Sequence, residues 1–523
     1  MIPPFPRALR PARYARIVLI AGAVASCHGE TTGPGGGTDG APGINVVAGA
    51  NVTDTVDAAL PLALRVVVRD GDGHAVRGAV VRFSSVPIAP SGSYQMPSAL
   101  VGDLSTVGAS AFLAETTSAE GVALARIVMG QAAGAGGVVI SVPLLGAQDT
   151  AHFTVTPGAA AKVVLPIVDT TIQVARPLPL NGRVEDRHAN PRTDAVTYEA
   201  AGTGLTIAGG QVSAAAPARA AVIGRLAGAG IAPDTTWVSV VPVATIAARR
   251  GSKLMIASLD GTGATNVPHV LEATDFGPEW HPDGQSLLAS LGTFGGGSSL
   301  YRVLPSGATQ LVIGPTAAQS SGHNVPGAMS GFSYSPDGQW VYVSGGYCNY
   351  ATMLYRFPVA NPPAIERVSA TGLDECFELV NHWPSLSPDG ARLAYENQTW
   401  NQSGYSVRVM DLATKQVTQL VAGGQRPRWA PAGDLIAYWA DKQIWVVRPD
   451  GTGARVVSPP GRSYIQGVQW SPDGQWILAR FEPTQGWAGT TVALLNVGTG
   501  LEIPLRWTTG YAGVALPSWK PVP

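Results

Sequence analysis

"WSPDGQWIL", residues 470–478, decides the fold because four relatives of it stand upstream. They are "WHPDGQSLL" from Trp280, "YSPDGQWVY" from Tyr334, "LSPDGARLA" from Leu386 and "WAPAGDLIA" from Trp429. Ser471-Pro472-Asp473-Gly474 carries the residues of a type I turn: Ser first, Pro second, Gly fourth. The Gly supplies a positive φ for the bulge that follows. The Asp accepts hydrogen bonds from nearby backbone N–H groups. The aromatic before the turn has a large apolar body to bury, and the alternation after it reads as strand. Turn geometry therefore explains each recurring residue. Asp283, Asp337, Asp389 and Asp473 are expected to be structural, not metal-binding or catalytic. Ala432 stands where the fifth copy would carry Asp, which a shared catalytic role would tolerate badly.

A second hairpin recurs in phase with the first. Its copies are 254–267, 300–312, 354–368, 407–420, 444–457 and 492–505, and "PSWKP" at Trp519 supplies a truncated sixth copy of the first landmark. The region opens on the second landmark and closes on the first. One repeat must then be assembled from both ends, which closes a ring and removes sheet edges. Repeats of this length mean a solenoid or a propeller, and the count predicts a six-bladed β-propeller over 244–523. The W-S-P-D-G turn resembles that of the TolB-like propeller family (also described as WD40-like PD40 repeats). TolB itself has an α/β domain before its propeller. The different domains expected here mean that its partner binding in the Tol-Pal system is not carried over.

The 523 residues are 45% hydrophobic and only 13% charged, with 64 Gly and 42 Pro, as suits a turn-rich β protein. Net charge is −1, and no basic stripe lies beyond the N-terminus, so a nucleic-acid partner has no electrostatic support. Arg7, Arg10, Arg13 and Arg16 precede the apolar run 17–25, which is too short to span a bilayer. The run ends in Val24-Ala25-Ser26-Cys27, which resembles a bacterial lipobox. That resemblance implies a signal peptide over 1–26, lipidation at Cys27 and anchoring in the cell envelope. His28 in place of Asp points to the outer membrane. The Gly-rich stretch 27–44 reads as a flexible linker.

From 45 to 157 the pattern is β, with a hairpin around the turn Gly71-Asp72-Gly73. Val66, Val68, Asp70, Gly73, Thr116, Thr117, Gly121 and Ala123 resemble the hairpin and following strand of bacterial Ig-like domains of the invasin/intimin type. Residues 158–243 repeat the plan, with Asp186 and Asn190-Pro191 in its hairpin. The expected fold class is all-β: two Ig-like β-sandwiches followed by the propeller. Asp70 and Asp72 have calcium-loop spacing, but no Glu closes the loop, and a turn is the reading.

In each blade the tight turns share one face, and the long connections fall on the other, where binding resides on a rigid scaffold. The candidate ligand-binding residues there are Tyr347, Tyr350, Trp383, Trp400, Trp487, Trp507, Tyr511, Glu375, Glu378 and His382. An aromatic, mildly acidic rim suits an envelope protein, a peptide or a glycan. Cys348 and Cys376 fall on the same face and are expected to form a disulfide. No G-x-S-x-G peptidase domain follows. His269, His281, His323 and His382 are too few and too scattered for a metal site. No catalytic residue, metal or cofactor is expected. The alternative is a propeller enzyme such as a polysaccharide lyase.

Overall fold

The computed structural model describes residues 42–88, 96–105, 108–228, 230–268, 272–273, 277–292, 299–314, 331–348, 351–360, 364–369, 379–399, 404–482, 491–508 and 517–522. The segment expected to be a signal peptide, Cys27 and Cys376 lie outside them. Apart from two 3-10 turns, every regular element there is a strand, and the chain is all-β. It divides into two units, Met1–Gly158 and Ala159–Pro523.

In the first unit, Gly43–Ala48, Leu64–Arg69, Val122–Met129 and Ala99–Gly102 form one sheet. Val52–Thr55, Ala147–Thr156, Gly134–Val142, Val80–Ser85 and Phe112–Thr116 form another. Strand alternation puts Val66, Val68 and Ile127 of one sheet against Val81, Phe83, Ile140 and Phe153 of the other in a single core. The Asp70 carboxylate accepts the N–H groups of Asp72 and His74 at 3.1 and 2.8 Å, so the hairpin turn satisfies it.

The second unit opens with strands around a smaller core of Leu180, Val212, Val222, Val238 and Val240. Its hairpin repeats the same device: Asp186 accepts the N–H groups of His188 and Asn190 at 2.8 and 3.0 Å. Six antiparallel meanders follow among the described residues, each of four strands except the second, where the short strand Glu272–Ala273 adds a fifth. The first joins Thr245–Arg250, Lys253–Ser258 and Thr265–Asn266 to Ser518–Trp519 from the chain's far end, with Ile246 opposite Trp519. The later meanders lead with Glu279–Trp280, Phe332–Tyr334, Leu379–Leu386, Gln425–Trp429 and Ser463–Trp470. The third and fourth touch through one parallel pair, Thr352 opposite Val380.

Each meander packs on the next. Separate cores join first to second (Leu254, Trp280), second to third (Leu288, Tyr355), third to fourth (Leu354, Tyr395), fourth to fifth (Val407, Tyr438) and fifth to sixth (Ile444, Phe481). A sixth core, with Ile246, Trp519, Trp476 and Leu494, joins the last meander to the first. The succession returns to its start, and the arrangement is propeller-like.

The recurring turns knit this ring together. In the copy at 470–478 the N–H of Gly474 donates to the Ser471 carbonyl at 2.9 Å, that of Gln475 to Asp473 Oδ1 at 3.0 Å, and that of Trp476 to Ser471 Oγ at 2.9 Å. Copies at Ser335 and Ser387 use the same bonds, and Asp337 and Asp389 are held below the usual carboxylate range, chiefly by the serine hydroxyl. The glycines at 284, 338, 390, 433 and 474 all have φ between 68° and 75°. The aromatic before the turn bridges to the preceding meander. The indole N–H of Trp470 donates to the Arg428 carbonyl at 3.0 Å, and that of Trp519 to the Gln469 carbonyl at 3.4 Å. The side chain one residue earlier does the converse, accepting a backbone N–H from the next leading strand. Glu279 takes that of Tyr334, Ser385 that of Trp429, and Ser518 that of Trp280.

Candidate functional site

The leading strands surround the ring axis, so residues at their first ends gather on the face opposite the tight turns. Three residues before the aromatic, three consecutive leading strands skip register: between His382 and Ser385, between Gln425 and Arg428, and between Ile465 and Val468. Such bulges turn the backbone into a left-handed conformation that glycine adopts without cost. Gly467 has φ 126°, and Gly331, at the same place in the third meander, has φ 100°. The fourth and fifth meanders put Trp383 (φ 53°) and Arg426 (φ 48°) at these positions. Bulky residues in this region carry about 1–3 kcal/mol of strain each, which persists where surrounding structure holds it and clusters at functional sites.

The two strained residues touch. The Arg426 guanidinium carbon lies 4.0 Å from the centre of a Trp383 ring, a cation–π contact. Gly331 packs against that same indole, where an added Cβ would come within 2.6 Å. The Arg426 backbone N–H donates to Glu396 Oε2 at 3.0 Å. Beneath them, Asn397 Nδ2 donates to Asn381 Oδ1 at 2.9 Å. Arg428 Nη1 approaches Glu279 Oε2 to 3.8 Å from a meander three places round the ring, so this pair crosses the axis.

Burial governs the electrostatics. Burial pushes the Glu396 carboxyl up, against the pull of the Arg426 N–H and its charge. Burial likewise raises Glu279, opposed by Arg428. Arg426 falls to about 10, first through burial, and Arg428 and Arg480 press it further down while Glu396 resists. His382 falls to about 4 through burial, helped by Arg426. It stands 3.9 Å from Glu396, too far for a hydrogen bond, and is neutral at neutral pH. Its Nε2 is buried without a hydrogen-bond partner among the described residues. Among the described residues, the Arg426, Arg428 and Arg480 guanidinium groups and the Glu279 and Glu396 carboxyls thus share one electrostatic neighbourhood.

Of the residues singled out from the sequence, His382 and Trp383 belong to this cluster. Trp507 sits in the 3-10 turn Arg506–Thr508 and donates its indole N–H to the Leu259 carbonyl at 2.9 Å, packing over Gly261. That contact ties the last meander to the first. Tyr347 falls in the bulge near the end of Trp340–Cys348, and Cys348 lies opposite Ala351 there. Tyr350, Trp400, Trp487, Tyr511, Glu375 and Glu378 lie outside the described residues. Sequence reasoning missed Arg426, Arg428, Arg480, Glu396 and Glu279. Arg426 had a signal: aligned on the aromatic, the repeats read Gly277, Gly331, Trp383, Arg426 and Gly467.

Among the described residues, the group of carboxylates and imidazoles close enough to share a cation is Asp70, Asp72 and His74, exposed on the first unit's hairpin.

No protein-family profile matches the chain. Over 125 residues, 22% of this chain and 27% of the relative, the sequence is 33% identical to the protein TolB homolog of Chlorobium luteolum. The match thus spans little more than a quarter of that curated relative's length. The crystal structure of TolB from Acinetobacter baumannii is similar with a TM-score of 0.42 at 13% identity, covering 69% of this chain and 100% of that one. An oligogalacturonate lyase from Vibrio parahaemolyticus gives a TM-score of 0.34 at 13% identity, covering 50% of this chain and 74% of that one.

Proposed function

We propose that the protein is a non-enzymatic binding module of the bacterial cell envelope. Two Ig-like β-sandwiches carry a TolB-like, six-bladed β-propeller, and the face opposite the tight turns binds a protein, peptide or glycan. Cys27 carries the lipid that anchors the chain, and a Cys348–Cys376 disulfide holds two of the loops. The partial similarity to the TolB homolog supports the propeller and the envelope setting.

One observation carries the reading. The serine and aspartate side chains of the tight turns bond within their own turns, whereas the other face gathers the strained Trp383 and Arg426 beside His382 and Glu396. Nothing in ring geometry requires these residues at positions that glycine fills elsewhere. The other binding candidates on that face are Tyr347, Tyr350, Trp400, Trp487, Trp507, Tyr511, Glu375 and Glu378.

A Cys27→Ser chain, free of lipid, should bind selected members of a mixed peptide and glycan array. Replacing Trp383, Trp400 and Trp487 together with Ala should abolish that binding. Undiminished binding by the triple variant would refute the loop-face assignment. Turnover of a bound glycan by the unaltered chain would refute the non-enzymatic one.

A further inference from the structure

We propose that the contact between the strands opening the second unit and the sixth meander is a latched hinge. Val243 is its pivot, the Asp169–Arg506 pair is its latch, and a row of buried polar side chains favours the parted state. The inference concerns how the ring is carried and stands apart from the loop-face reading.

Hydrogen bonds on either side define the pivot. The Val241 carbonyl accepts the N–H of Val174, among the opening strands, at 2.9 Å. Three residues on, the Ala244 carbonyl accepts the N–H of Leu259, on the first meander, at 2.9 Å. Pro242 and Val243 lie between. Proline has a fixed φ, which leaves Val243, 70% exposed, to take up the rotation. Val241 sits in the core with Trp476 and stays there in both positions, so the swing is not unfolding. Arg176 reaches Asp260 at 3.6 Å close to the pivot, where the pair need not break.

Beyond the pivot the docked faces are poorly matched. Ser239 lies directly opposite Thr171 in one ladder and Arg219 in the other, so the three stand in one row on the face that carries Val241. Ser239 is 0% exposed, and its hydroxyl has no hydrogen-bond partner among the described residues. The same holds for Thr171 Oγ1 and Arg219 Nε. Docking strips these groups of water without replacing it, so parting the faces is favourable for them. Beside Arg219 the faces diverge around a recess of about 460 Å³ walled by Pro459, Pro460, Arg462 and Glu502.

The latch opposes this. Asp169 Oδ2 holds Arg506 Nε, on the ring, at 2.7 Å and Arg219 Nη2, in the row, at 3.5 Å. Arg506 is half-exposed, so salt screens the pair and moves the balance toward parting.

The test uses the full chain with Cys27→Ser and spin labels on unnatural side chains at Thr235 and Pro460, both exposed, one on each side of the junction. Pulsed dipolar spectroscopy should give a short and a long distance, the long one growing with salt. Asp169→Asn should raise the ratio of long to short at least about ten-fold. Thr171→Val with Ser239→Ala should lower it by a similar factor, about ten-fold. That double variant gives up no hydrogen bond of the two hydroxyls, so it should fold with an unchanged or higher Tm.

A single short distance in both wild type and Asp169→Asn, at low and high salt, would overturn the hinge. A long population that grew in the double variant would show that the row holds the faces together. A salt response unchanged in Asp169→Asn would overturn the latch. Faster amide exchange throughout Asp234–Val241 in Asp169→Asn would mean local unfolding and overturn the rigid swing.

Discussion

Trp470 shows how much one residue of the repeat does. Its ring is buried between the fifth and sixth meanders, and its indole N–H spans the gap to the Arg428 carbonyl at 3.0 Å. Trp470→Phe keeps most of the apolar burial and deletes that bridge. It should cost about 1–2 kcal/mol in chemical denaturation, since the carbonyl loses its partner in a partly buried setting. His382 gives a pH effect with a definite sign. Its pKa is near 4 in the folded chain against 6.5 when unfolded. The unfolded chain therefore binds the proton first, and the stability present above pH 6.5 is lost as pH falls through 4. The size is on the order of 2–3 kcal/mol. Glu396 and Glu279, with raised pKa values, act the other way: protonating them favours the folded state on acidification. Comparing urea midpoints of wild type and His382→Gln between pH 7 and 4 isolates the histidine. A variant that lost stability as steeply as wild type would show that His382 is not the group responsible.

At the scale of elements, Ser518–Trp519 is two residues long yet completes a sheet begun at Thr245. Trp519 is 6% exposed and joins the core between the last meander and the first. Deleting 517–523 should cost at least about 3–5 kcal/mol from Trp519 alone. It should also speed amide exchange in Thr245–Arg250 before the other leading strands are affected. Unchanged exchange there would mean that the terminal strand adds little. This element was legible in the sequence because the two landmarks are out of phase at the ends. The bulges were less so. A one-residue change of register leaves no mark in hydrophobic alternation, and only the glycines at 277, 331 and 467 hint at where the strand bends.

For the molecule as a whole, the strands around Leu180 and Val238 do not stand apart from the ring. Val241, ending the strand Asp234–Val241, enters the same core as Trp476 and Leu505. Asp169 pairs with Arg219 at 3.5 Å and with Arg506 at 2.7 Å, and Arg176 reaches Asp260 at 3.6 Å. Residues 159–522 should therefore unfold in one calorimetric transition. Asp169→Ala should lower the stability of that unit by about 1.5–3 kcal/mol, as expected for charged hydrogen bonds at a partly buried junction. A second, separate transition appearing in wild type would contradict the shared core.

The sequence by itself determined what is local: the turn chemistry, the phase of the repeats, and the structural duty of Asp337, Asp389 and Asp473. A four-residue turn is specified by its own four residues, and repetition multiplies the signal. The tertiary structure alone decided which side chains meet. Glu279, Glu396, Arg426 and Arg480 lie on different meanders, and their proximity follows from the ring closing on itself. The strain at Trp383 and Arg426 belongs to the same class. It arises from a bulge that neighbouring strands impose, and from a ring stacked under a guanidinium that sequence spacing does not bring together.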